Sequence, residues 1–252
     1  CPGFFLPQTD LLLRQGASMV LDPLLLQNSQ IRVVDAFEAL VGFRFENGVN
    51  AVCWPRDLEG DFAEVVSRLE VPQGITHLTG ELLRGLDLSP AGQKAVEVML
   101  SDMERLHQME LLPTLDCVNG YTHEIESPVR TDVCSFHADS ATVQADTWLC
   151  TYHGAPSEGL RNDEVICRVD VPETREELRR LHAKEDDVPF EEWLEEHFYT
   201  LHYAPLPGAA PFRFGTGNLW RIALQYPGSP VPPCIHRAPD PVPGEKRLLL
   251  IS

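Results

Sequence analysis

The chain has 252 residues, 43% of them apolar, with 20 basic against 38 acidic side chains and a formal net charge of −18. That apolar share can fill the core of one large domain, while no apolar run approaches the roughly eighteen residues of a bilayer-spanning helix. The negative excess argues against nucleic acid, whose phosphates are met by clustered Lys and Arg.

Residues 1–112 read as a mainly helical part. Amphipathic patterns cover 35–41 and 61–69, and the strongest segment opens at Ser89-Pro90, an N-cap followed by proline at the first helical position. It continues through Val96, Met99, Leu100, Met103 and Leu106, which fall along one face. From 113 onward the character changes to short strand-like runs at 115–118, 121–125, 133–137, 147–152 and 165–169, separated by Gly, Pro, Asn and Asp. Two acidic helices, 173–184 and 191–203, then form an insert over about 172–204. Their Glu-rich faces suit solvated surface, with a lid over a site as the alternative. Strands return at 211–214, 219–225, 234–237 and 246–251, with Pro-rich turns at 227–233 and 239–243. The expectation is one α+β unit. Its helical N-terminal part packs on a 113–252 core built as a double-stranded β-helix (jelly-roll, cupin-like).

The triplet His137-Ala138-Asp139, with His236 far along the chain, carries the chemistry. Side chains at i and i+2 of a strand share a face, so His137 and Asp139 can grip one ion together. Two imidazoles and one carboxylate hold ferrous iron while leaving positions open for other ligands. Arg247, on the terminal run Lys246-Arg247-Leu248-Leu249-Leu250-Ile251, has the planar fork that pairs with a carboxylate. The segments also exclude some chemistry. No G-x-S-x-G elbow, Walker A loop or G-x-G-x-x-G fingerprint occurs, and Gly215-Thr216-Gly217 reads as a hairpin turn.

The order H-x-D, long gap, His, then Arg resembles the iron(II)- and 2-oxoglutarate-dependent oxygenases. More locally, Val49-Asn50-Ala51-Val52-Cys53-Trp54-Pro55-Arg56, Phe136-His137-Ala138-Asp139, Cys150-Thr151-Tyr152-His153-Gly154 and His236-Arg237-Ala238-Pro239 resemble a bacterial and fungal family of unknown function. Its pattern runs N-x-A-x-W-x-R, F-H-x-D, C-T-Y-x-G and H-R-[SA]-P. The chain departs from that family at Ala155-Pro156-Ser157-Glu158-Gly159-Leu160, where a G-T-E-W segment is usual. The resemblance implies Fe(II) on His137, Asp139 and His236, with Arg247 on the distal carboxylate of 2-oxoglutarate and Tyr152 as a second hydrogen bond to that co-substrate. With Asp139 as a ligand it implies hydroxylation, desaturation or ring closure rather than halogenation.

Arg237 and Arg130 are the cations expected near the mouth, where an acidic group of a small-molecule substrate would bind; an amino acid or other carboxylate fits. Dioxygen would be the other partner, with no nucleic acid or membrane, and the oligomeric state stays open. Two alternatives remain: a cupin-like metalloenzyme that does not use 2-oxoglutarate, and a non-catalytic metal-binding module. Seven cysteines, odd in number and without a C-x-x-C pair, fit neither a disulfide framework nor a zinc ribbon. They read as reduced thiols packed in a cytoplasmic protein. The start Cys1-Pro2-Gly3-Phe4 has no basic n-region of a signal peptide. Cys234, two residues before His236, shares its strand face; packing is expected to be its role, with a place beside the metal as the alternative.

Overall fold

A computed structural model describes residues 21–121, 129–183 and 188–252. Apart from Tyr121, the strand expected at 121–125 lies outside the described residues. The helices are α1 (Pro23–Gln27), α2 (Phe37–Gly42), α3 (Phe62–Arg68), α4 (Gly80–Arg84), α5 (Pro90–His107), α6 (Pro172–His182) and α7 (Phe190–Glu196). The strands in the first half are β1 (Ile31–Val33), β2 (Ala51–Trp54), β3 (Gly74–Leu78), β4 (Thr114–Asn119) and β5 (Asp146–His153). Those that follow are β6 (Glu158–Leu160), β7 (Val165–Cys167), β8 (Tyr203–Pro205), β9 (Phe212–Arg213), β10 (Leu219–Ala223), β11 (Ile235–Arg237) and β12 (Arg247–Ile251). Residues 21–112 are therefore not only helical. They supply β1, β2 and β3 to the main sheet.

That sheet has seven strands in the order β1-β2-β10-β5-β12-β4-β3. Every pair is antiparallel except β1–β2. Alternation along the strands sends side chains to two different cores. Val52, Trp148, Cys150, Tyr152, Leu219, Leu248 and Leu250 face the helices α2 to α5. Ala51, Cys53, Leu149, Trp220 and Ile222 face the opposite way and pack against Phe212, Phe214 and Cys234. The helix α5 forms where Ser89 caps it, its Oγ accepting from the Gly92 N–H at 3.2 Å. Its buried stripe of Ala95, Val96, Met99, Asp102 and Leu106 lies on the sheet.

Smaller strand groups, β11-β6-β9 and β7-β8, lie on the second face. His137 joins them through isolated antiparallel bridges to His202 on one side and His236 on the other. The segment 133–137, expected as a strand, is thus not a regular one; only its end is bridged. Phe136, Ala138, Leu160 and Ile235 close the outer side of this layer. The expected helix over 191–203 stops at Glu196, because Phe198 turns left-handed with φ 59° and the chain then enters β8. No helix among the described residues is long and apolar enough to cross a membrane.

Between the main sheet and its helices sits one polar knot. Asp102 receives Arg56 Nη1 on both oxygens at 2.7 Å and the Tyr152 hydroxyl at 2.8 Å. Arg56 also lies over the Trp54 ring, 5.0 Å from its centroid. Both charges are buried, at 7% and 2% side-chain exposure, so removing one strands the other. Asp102→Ala is expected to cost about 3–5 kcal/mol, read as a lower urea midpoint with the denaturant slope unchanged.

Candidate metal centre

Two imidazoles meet because His137 and His236 exchange both backbone hydrogen bonds. His137 N–H donates to the His236 carbonyl at 2.9 Å, and His236 N–H to the His137 carbonyl at 3.0 Å. Directly opposed residues of such a pair project to the same face. Asp139, two residues on, shares that face, and its carbonyl accepts from Gln225 N–H at 2.8 Å, which ties the triplet to the end of β10. One ligand atom from each of His137, Asp139 and His236 lies within 4.8 Å of the other two. The Nε2 atoms stand 3.6 and 3.7 Å from the two Asp139 oxygens.

The neighbours orient all three. His137 Nδ1 lies 2.7 Å from the Ser135 carbonyl and His236 Nδ1 3.3 Å from that of Cys234. A carbonyl can only accept, so each Nδ1 carries the proton and each Nε2 presents a lone pair. Thr147 Oγ1 donates to Asp139 Oδ2 at 2.6 Å, the kind of outer partner that fixes a metal-ligating carboxylate. Burial alone would raise the Asp139 pKa, but His236, His137 and the Thr147 hydroxyl outweigh it and hold the carboxyl well below its usual range. Burial likewise opposes charge on His137, yet the Asp139 carboxylate and the Ser135 carbonyl leave its pKa above the ordinary 6.5. Burial dominates at His236, whose pKa is lowered.

A cavity of about 250 Å³ opens beside His137 and Asp139, walled by Asp132, Phe198, Leu201 and His202. Cys234 is buried in the core behind the site; desolvation, then the Asp139 charge, keeps its thiol protonated.

Arg247 lies buried at the start of β12, on the face opposite the helices. Its Nε donates to the Ala155 carbonyl at 2.7 Å, Nη1 to the Tyr121 hydroxyl at 2.8 Å and Nη2 to Ser157 Oγ at 3.4 Å. All three partners are neutral, and no carboxylate among the described residues pairs with it. Gly154 makes room for this: a Cβ there would press on the Lys246 carbonyl and on Arg247 itself. Between Arg247 and the triad runs one face of β5. Thr147 bonds Asp139 at one end, and Thr151, opposite Leu249, has a buried hydroxyl with no hydrogen-bond partner. The buried Ser135 hydroxyl is unpaired as well.

Three expected residues lie elsewhere or are engaged. Tyr152, expected to bond a co-substrate, is not on the face of β5 that carries Thr147 and Thr151. It follows Trp148 and Cys150 on the helix face of β5, stacks on Phe62 at 5.5 Å and donates to Asp102. Tyr121, to which the sequence reading gave no role, is the hydroxyl beside Arg247. Arg130 is committed to Asp132 through two hydrogen bonds, at 3.0 and 3.1 Å. Arg237 is committed to Glu158, at 2.8 and 3.0 Å, and lies over the Phe136 ring. Neither is a spare cation. Sequence reasoning also missed His202 and Arg168 near the cavity. Their position depends on strand register, which no local motif announces.

No family model, curated protein or solved structure matches the chain.

Two measurements test the site. With the His137 pKa raised and that of His236 lowered, His137 is the first of the two imidazoles to take up a proton as pH falls, and metal competes with that proton. Zinc affinity by competitive chelation should fall roughly tenfold per pH unit below the raised His137 pKa and level off above it; a flat profile between pH 5.5 and 8 contradicts this. Thr147→Val should weaken zinc binding by about ten- to hundredfold, whereas Tyr152→Phe should leave it unchanged and cost about 1 kcal/mol of stability.

Proposed function

We propose that this chain is an iron(II)- and 2-oxoglutarate-dependent dioxygenase that oxidises a C–H bond of a small molecule, on a scaffold that is a double-stranded β-helix. The observation that carries this reading is a two-histidine, one-carboxylate set on the smaller strand layer, combined with a buried arginine on the main sheet, on its face opposite the helices, that lacks a carboxylate. The resemblance of the F-H-x-D, C-T-Y-x-G and H-R-[SA]-P segments to the oxygenases is in keeping with it.

The donor set fits ferrous iron: two neutral nitrogens and one carboxylate oxygen suit a non-haem site that keeps open positions. His137, Asp139 and His236 would hold it. Bound iron supplies the family's oxidising chemistry, in which 2-oxoglutarate and dioxygen become succinate and carbon dioxide as the substrate is oxidised. The chain's own residues do the arranging. Ser135 and Cys234 carbonyls fix the imidazole tautomers, and Thr147 fixes the carboxylate. Arg247 supplies a positive fork for the distal carboxylate of the co-substrate, with the Tyr121 hydroxyl beside it. The buried Thr151 and Ser135 hydroxyls, unpaired in the fold, are further groups that a polar ligand reaching them would satisfy. Burial of Arg247 strengthens its pull on an anion, since little water competes there.

The test is direct. Iron-loaded protein under anaerobic conditions should develop a weak visible charge-transfer band with 2-oxoglutarate and release succinate when oxygen is admitted. His137→Ala should lose both. Arg247→Ala should retain iron but need about ten- to hundredfold more 2-oxoglutarate for the band, the scale of one lost charge-assisted hydrogen-bond pair. Absence of the band in iron-loaded wild-type protein at saturating 2-oxoglutarate overturns the proposal.

A further inference from the structure

Register extends the metal-binding row beyond the metal. Across the smaller layer, Phe212 stands opposite Gly159 and Gly159 opposite His236. His236 stands opposite His137, and His137 opposite His202. The β7–β8 pairing ends at Cys167 opposite Tyr203 and is carried one step further where Arg168 N–H donates to the His202 carbonyl at 2.8 Å. His202, His137, His236, Gly159 and Phe212 thus form one lateral row, and Arg168, which opens a 3₁₀ turn over Arg168–Asp170, is tied to its His202 end. Opposed residues in a sheet project to a common face, so His202 issues from the face that carries the metal ligands, and the Arg168 charge lies close enough to bear on it. Two strand spacings separate Arg168 from His137, roughly 10 Å between backbones.

Arg168 differs from four arginines that the fold itself neutralises. Arg56, Arg130, Arg221 and Arg237 each meet a carboxylate. Arg168 is half-buried, its Nε has no hydrogen-bond partner, and no acid among the described residues forms an ion pair with it. Burial, then the neighbouring charge of Arg130, pulls its pKa down, so the cation sits in an unfavourable place. Next to it the buried His202 has an unpaired Nδ1. Its ring centroid is 5.7 Å from that of His137, and it forms part of the cavity wall. A half-buried cation without a counter-ion is costly unless a bound anion supplies one. The chain has acidic residues in excess, so leaving this position unmatched is not a matter of supply.

We propose that Arg168 is the specificity-determining residue of the site, receiving a carboxylate of the small-molecule substrate, whose remaining atoms lie across His202 toward His137 and Asp139. The inference rests on the oxygenase reading for where the chemistry occurs, but not for the anion preference itself. A monoanion suits the site better than a phosphate dianion. One planar fork matches a carboxylate with two parallel hydrogen bonds, and Asp132 on the same cavity wall opposes further negative charge. The carbon presented for oxidation is then several bonds from the carboxylate.

The test uses matched acids and amides, phenylacetate with phenylacetamide and hexanoate with hexanamide, titrated by ligand-observed NMR into redox-inert zinc-loaded protein. Wild-type protein should bind each acid about tenfold or more tightly than its amide. Arg168→Gln should erase the difference, Arg168→Lys should keep part of it, and Arg247→Ala should keep it. Equal binding of acid and amide, no binding of either acid, or a preference that survives Arg168→Gln and disappears in Arg247→Ala overturns the inference. A readout on unaltered protein guards against a misfolded variant. Phenylglyoxal labelling of Arg168, mapped by peptide mass, should be blocked by the acids and not by the amides, and equal labelling counts against the assignment. The 2-oxoglutarate band of the iron form should be unchanged by Arg168→Gln. Absence of that band in wild-type protein sinks the oxygenase reading alone, while the acid–amide comparison still decides the role of Arg168.

Discussion

The reciprocal pair of backbone hydrogen bonds between His137 and His236 is the constraint on which the site depends. A slip of one residue in that pairing would turn Ile235 inward and the imidazole outward, since side chains alternate with a period of two. What prevents the slip is hydrophobic. Phe136, Ala138, Leu160 and Ile235 are buried together on the outer side of the same layer, so the pattern that buries apolar side chains outward also aims His137, Asp139 and His236 inward. Metal-ligand geometry and core packing are two consequences of one register. The irregular backbone around His137 tolerates this because its groups are satisfied on both edges: Tyr203 N–H donates to the Phe136 carbonyl at 2.8 Å and Ala138 N–H to that of Leu201 at 2.9 Å.

Charge placement separates structural arginines from those with work to do. Arg56 joins Asp102 behind the main sheet, Arg221 on β10 joins Asp146 on the neighbouring β5, and Arg237 joins Glu158 across β11 and β6. Each pair stitches two elements whose sequence positions are far apart. Arg247 and Arg168 break the rule, the first surrounded by neutral acceptors and the second without an acidic partner among the described residues. They lie on different elements, one at the start of β12 and one just past β7. Both are at least half-buried, and neither forms an ion pair with an acid among the described residues, so a bound anion would be the counter-charge of each.

Much of this was readable before any coordinates. Ser89-Pro90 announces α5 because cap chemistry is local, and β12 shows because Leu248 to Ile251 is a continuous apolar run. The three candidate metal ligands are legible because residue type and spacing suffice to suggest them. Other elements are silent for physical reasons. In Ala51-Val52-Cys53-Trp54 nearly every side chain is buried, so β2 shows no alternation. β1 and β6 have three residues each, too few for a period. Tyr152 misled because a motif fixes neighbours along the chain but not the face. One position separates it from Thr151, and that single step moves it from the inner face to the helix side.

The insert at 172–204 follows the same logic. Its acidic residues suggest a solvated flap, yet Leu178, Trp193 and Leu194 are fully buried and pack with Val129, Val169 and Tyr199 into a small core of their own. A segment with such an anchor acts as a wall rather than as a loose cover. The left-handed turn at Phe198 ends α7 and redirects the chain so that Leu201 and His202 reach the cavity and His202 meets Arg168. The helices therefore serve the site indirectly, by fixing where β8 begins. Substrate selectivity on this reading is set by residues that belong to the insert and its flanks, while the metal and co-substrate chemistry belongs to the sheets. The two functions are carried by separable parts of one chain, and the row from His202 to His236, tied to Arg168 at its end, is where they join.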